Sequence, residues 1–149
     1  MATPIKAFVF DDDENIRSML VDLLKQRGYE VQAFARADVC RTCPCPRGQM
    51  CADIIIANVS LPNLSGIQFV QHQKMVGCRN ENILLISAAW TEEKIRQARA
   101  LGCYVLHKPF IFDDLMPWLN EGEQRIDPDR TLLDWYPLCS LTSIPEEDR

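Results

Sequence analysis

No stretch of this 149-residue sequence approaches the roughly 18 consecutive apolar residues that cross a bilayer. Nor does a signal-peptide hydrophobic region precede the first acidic cluster. The expectation is a cytoplasmic protein with no membrane partner. An excess of positive charge is also lacking: 16 Lys and Arg face 21 Asp and Glu, a formal charge of −5. That balance argues against nucleic acid as a direct partner. Histidine is scarce. His107 reads as a strand core or edge residue and His72 as a helix-surface residue, and no nucleophile–base pair stands out, so an enzyme is not expected. What remains is ordinary for one soluble domain, with 47% hydrophobic and 25% charged residues.

The apolar residues that are present fall in two periods. Ile54-Ile55-Ile56-Ala57 is too short for a helix and reads as a strand buried on both faces, as in the middle of a parallel sheet. Asn58 sits at its C-terminal end, followed by the loop Leu61-Pro62-Asn63-Leu64-Ser65-Gly66. Ile83 to Ile86 is a second such strand, ending at Ser87, and Ile5–Phe10, Tyr29–Phe34 and Cys103–His107 complete five. Ile16, Met19, Leu20, Leu23 and Leu24 make an amphipathic helix that Gly28 stops. A second helix is expected from Ala35 to Arg41, broken by Pro44 and Pro46. A third follows Gly66. Thr91 caps a fourth, which Gly102 ends. The fifth starts near Asp113 or Asp114, where Pro117 is tolerable only in the first turn. Five alternations of strand and helix mean an α/β fold with a doubly wound parallel sheet. The pattern dissolves near residue 120, leaving a C-terminal tail, 121–149, docked or partly flexible. In it the apolar knot Leu132, Leu133, Trp135, Tyr136 and Leu138 is expected to fold back on the domain.

Four motifs stand at strand ends: Asp11-Asp12-Asp13-Glu14, the Leu61-Pro62 to Gly66 loop, Ser87-Ala88, and Lys108-Pro109-Phe110. In that order, over residues 4–120, they resemble the receiver domain of bacterial two-component response regulators. The resemblance implies a flavodoxin-like five-stranded sheet of order 2-1-3-4-5, with its site at the switch point. It also implies phosphoryl transfer from a histidine kinase to an aspartate after the third strand, assisted by magnesium. Carried over, Asp11 and Asp12 match the metal-binding pair and Ser60 the ligand that acts through its carbonyl. Ser87 matches the switch hydroxyl and Lys108 the phosphate-binding lysine, before a proline whose peptide bond is commonly cis.

The acceptor position holds Asn58, whose neutral amide oxygen cannot form an acyl phosphate. This residue either joins Asp11, Asp12 and Ser60 as a magnesium ligand or donates to Asp12 and holds the pocket closed. The fifth strand is one residue short, which puts Val105 where the family carries a switch aromatic and Tyr104 one place early. Trp90, near the mouth, reads as packing. The expected function is therefore a receiver-like interaction module that is not phosphorylated. It would bind a histidine kinase or other signalling protein through its fourth helix, fifth strand and fifth helix.

Cysteine is abundant, with seven in all and four in the array Cys40, Cys43, Cys45, Cys51. An odd count in a reducing compartment does not suggest a disulfide framework. Three readings stay open: a zinc or iron–sulfur site that Cys78 joins, a redox pair, or plain packing. The first two support a different function, metal or redox sensing on a receiver scaffold.

Overall fold

A computed structural model describes residues 3–37, 49–75, 77–78 and 80–132. Five parallel strands form the centre: β1 (Lys6–Phe10), β2 (Glu30–Phe34), β4 (Ile54–Asn58), β5 (Ile83–Ser87) and β6 (Tyr104–His107). Their order is β2-β1-β4-β5-β6, which is 2-1-3-4-5 among these five, as the resemblance implies. Every residue of β4 and of β5 is buried. Side chains alternate across the sheet with period two. Phe8 and Phe10 join Ile55, Phe69 and Leu85 on one face; Ala7 and Val9 join Ile56, Leu24 and Leu119 on the other.

Helices α1 (Glu14–Gln26) and α4 (Phe112–Arg125) supply the second face, and α2 (Gly66–Met75) and α3 (Glu92–Ala100) the first. Gly28 at φ 90° and Gly102 at φ 81° follow α1 and α3 in the left-handed conformation that ends a helix. Thr91 caps α3 by accepting the Lys94 N–H at 3.1 Å.

The expected second helix is not formed in residues 35–37, and its remainder lies outside the described residues, as does the tail knot beyond Leu132. The last helix starts at Phe112, because the Asp114 carboxylate reaches back to accept the Ile111 N–H at 2.9 Å. Pro117 therefore falls beyond the first turn, as the sixth helical residue, on an exposed face where the carbonyl it leaves without a donor can meet water.

Beyond α4 the chain crosses the N-terminal edge of the sheet. There β7 (Thr131–Leu132) pairs in parallel with β3 (Gln49–Met50) as a separate two-stranded sheet. Arg130 forms a two-pronged ion pair with Asp53, Nε to Oδ1 at 2.7 Å and Nη2 to Oδ2 at 2.8 Å. Farther along the same side, Glu123 accepts from Arg27 Nε at 3.1 Å and from the Tyr29 hydroxyl, tying α4 to the end of α1.

Cys103 lies buried where β6 begins. Burial pushes its thiol from 9.0 up to about 11, against the opposing pull of Lys74. A thiol raised in the folded state favours folding below its unfolded value and loses that contribution as pH rises from 9 to 11. Urea unfolding at pH 8 and pH 11 should therefore show a loss of roughly 2 kcal/mol assignable to this group. Cys103→Ala should lack that part of the slope, and an identical slope in the variant would show that the thiol does not carry it.

Candidate functional site

The C-terminal ends of β1, β4, β5 and β6 meet at one edge, and their side chains make a small polar site. Asp11 is 1% exposed and held from several sides. Its Oδ1 accepts the Asp13 N–H at 2.9 Å, its Oδ2 accepts Lys108 Nζ at 3.1 Å, and its main-chain carbonyl accepts Arg17 Nη1 at 2.7 Å. The acidic run thus divides its work. Asp13 caps α1 through the Asn15 and Ile16 N–H groups, Glu14 lies in the first turn, and Asp12 stays exposed at the rim.

Asn58 is 6% exposed, and its Nδ2 stands 3.2 Å from Asp12 Oδ1 and 3.5 Å from Asp11 Oδ1. Ionised carboxylates only accept, so the amide must present its NH2 to them. In this structure the amide bridges the acidic pair as a donor. Gly66 makes the placement possible, because a Cβ there would lie 2.5 Å from the Asn58 carbonyl oxygen. Ser87 is 2% exposed and its Oγ accepts the Ala89 N–H at 2.9 Å, turned into its own loop. The Lys108 N–H donates to the Ser87 carbonyl at 2.9 Å, and the Lys108–Pro109 peptide bond is cis. Ser60 is exposed just past β4.

A magnesium ion asks for several oxygen ligands, mostly anionic or carbonyl. Here Asp11 already faces an ammonium, and both carboxylates face an N–H donor where the third ligand's oxygen would have to be. Among the described residues no group of three or more His, Cys, Asp or Glu could hold a metal ion. As placed, the donor set does not fit the ion.

Val105 packs into the core cluster with Ala98 and Cys103, while Tyr104 points to the opposite face, its ring centroid 6.2 Å from that of Trp118 and 5.0 Å from the Arg125 guanidinium carbon. Strand alternation separates these neighbours, so Tyr104 does not reach the face that Val105 occupies. Trp90 packs against that same cluster and donates Nε1–H to the Leu106 carbonyl at 2.9 Å. His107 and His72 are exposed.

Cys40, Cys43 and Cys45 lie outside the described residues. Cys51 is buried in the core beside Ala52, and Cys78 is partly buried after α2. Arg17 is the site residue that sequence reasoning missed. Only its spacing, one helical turn past Asp13 and on the strand side of α1, hinted at a role.

A family model described as response regulator receiver domain matches residues 7–120. No curated protein matches the chain. Among solved structures, a BeF3-activated DrrB receiver domain is 22% identical, with a TM-score of 0.69 over 83% of this chain and 100% of that one. The chemotaxis response regulator CheY4 of Vibrio cholerae is 28% identical, with a TM-score of 0.62 over 80% of this chain and 99% of that one. A receiver domain protein from Clostridium thermocellum is 21% identical, with a TM-score of 0.66 over 81% and 95%.

Proposed function

The chain belongs to the response regulator receiver domain family, and on that premise we propose that it is a receiver that takes no phosphoryl group and acts as a protein-interaction module in bacterial two-component signalling. The observation that carries the reading is the Asn58 amide bonded to Asp12 and Asp11. Acyl phosphate formation needs a carboxylate oxygen to attack phosphorus, and an amide oxygen carries no charge to do so. The same amide supplies two N–H groups to the acidic pair, and Lys108 adds a positive charge. Together they bond the acidic pair and offset part of its charge without an added cation.

A module held in one electrostatic state serves a partner that reads its surface. The face of α3, β6 and α4 supports this role. A groove of about 490 Å³ runs along it beside Tyr104, Leu106, Pro117 and Trp118, with Arg99 and Glu121 at the rim. A histidine kinase or another signalling protein is the partner class, and no nucleic-acid surface is assigned. No described helix is long and apolar enough to cross a membrane.

The test is direct labelling. Incubated with magnesium and acetyl phosphate, the intact protein should keep its mass. An alkali-labile adduct of one phosphoryl group, mapped to any site carboxylate, would overturn the proposal.

A further inference from the structure

Residues 126–132 follow α4 and lie beyond the span of the family match. Asp127, Pro128 and Asp129 turn the chain, with the Arg130 N–H on the Asp127 carbonyl at 3.1 Å and the Asp129 N–H on Asp127 Oδ1 at 2.8 Å. The turn aims Arg130 at the N-terminal edge of the sheet, where its side chain is 7% exposed and that of Asp53 is fully buried. Beyond the two ion-pair contacts, Nη2 donates to the Pro4 carbonyl at 3.2 Å, and Asp53 Oδ2 accepts the Lys6 N–H at 3.0 Å. Arg130 thus holds together the start of β1, the start of β4 and the end of the chain's described part.

The ladder next to it depends on that clasp. β3 is two residues long, and β7 is its only strand partner among the described residues. So short a pair has no stability of its own. Its register, Gln49 with Thr131 and Met50 with Leu132, is fixed because Arg130 anchors the residue before β7. Beside the clasp lies an open pocket of about 160 Å³ lined by Asn80, Asn82, Arg125 and the clasp residues Asp53 and Arg130. Cys51, the residue after β3, is 6% exposed.

We propose that residues 126–132 form a latch over the N-terminal edge of the sheet, with Arg130 on Asp53 as its clasp. When Arg130 is seated, β3 is ordered and Cys51 is covered. When Arg130 leaves, both features are lost together, while the five-stranded sheet stays folded on its two independent cores. Whatever lifts Arg130, a partner's carboxylate included, therefore opens the edge opposite the Asn58 site as one unit.

The experiment uses the full chain. Arg130→Met removes the clasp but strands Asp53 as a buried charge, so Asp53→Asn/Arg130→Met is made beside it; the amide keeps an acceptor for Lys6 and removes that charge. Hydrogen exchange is followed by mass spectrometry together with the rate at which N-ethylmaleimide labels Cys51. The double variant should label Cys51 at least about tenfold faster than wild type and lose amide protection in 49–52 and 126–132, with Ile54–Asn58 and Ile83–Ser87 unchanged. Loss of protection in 126–132 alone, with Cys51 labelled at the wild-type rate, would show a tail that latches nothing. Loss throughout the sheet in both variants would show that the ion pair belongs to the global fold, and would equally overturn the proposal.

Discussion

If Asn58 is what bars phosphorylation, as proposed, Asn58→Asp should take a phosphoryl group from acetyl phosphate, and only with magnesium present. The new carboxylate would stand where Nδ2 now lies 3.2 Å from Asp12 and 3.5 Å from Asp11. Three carboxylates with Lys108 as the one bonded cation repel one another, and two N–H donors are lost. Without magnesium the variant should therefore be less stable by roughly 2 kcal/mol. Magnesium should restore that difference through its preference for the folded site, and the wild type, whose amide already occupies the position, should show no such gain. Thermal unfolding with and without the ion reads the stability, and intact mass reads the label. An Asn58→Asp protein that gains stability from magnesium but takes no label would show that Ser87, turned toward Ala89, is out of place for the transferred group. A wild type stabilised as much as the variant would show that the amide does not stand in for the cation.

Gly66→Ala should be the most damaging small substitution near the site. The added methyl would lie 2.5 Å from the Asn58 oxygen, 3.1 Å from its carbonyl carbon and 3.2 Å from Val59 Cα. All three atoms are backbone, so no side chain can swing aside. The backbone at Gly66 itself needs no unusual conformation; what it needs is room. Its N–H also donates to the Val59 carbonyl at 2.9 Å, and Ser65 and Gln68 cap α2 reciprocally at 3.1 and 3.0 Å, so the helix start is fixed from both sides. Either α2 backs away from β4, opening the core around Ile67 and Val70, or Asn58 shifts and loses its contacts to the acidic pair. A cost of about 3 kcal/mol in urea unfolding is expected. A loss below about 0.5 kcal/mol would mean that the loop between β4 and α2 absorbs the methyl without strain.

The sheet was legible in the sequence because its signals are local. Ile54 to Ile56 and Ile83 to Ile86 could be buried only on both faces, and Gly28, Thr91 and Gly102 punctuated the helices by conformation and capping. The offset of Tyr104 and Val105 was legible for the same reason, since one step along a strand changes faces. The start of α4 was misread because Ile111 has no capping side chain, and the carboxylate that serves it lies three residues ahead. The ion pair of Asp53 left no signal in the sequence. Its partner is 77 residues away, in a stretch where hydrophobic periodicity had ended, and pairing at that distance leaves no periodic trace. The Glu123 bonds to Arg27 and Tyr29 were hidden in the same way. In the site, residue types showed which groups would meet. The direction of the Asn58 amide followed only once both carboxylates were in position.

Because all five strands of the main sheet run in parallel, the helices that follow them begin at the edge that carries the site. Three of the four described helices open with acidic residues: Glu14, then Glu92 and Glu93, then Asp113 and Asp114. Their last turns carry Lys25, Arg99 and Arg125. Each placement answers its own helix dipole. Summed over these three helices, they also set negative charge at the edge that carries the site and positive charge at the opposite edge. Charges so placed draw a cationic surface toward the site edge before any contact forms.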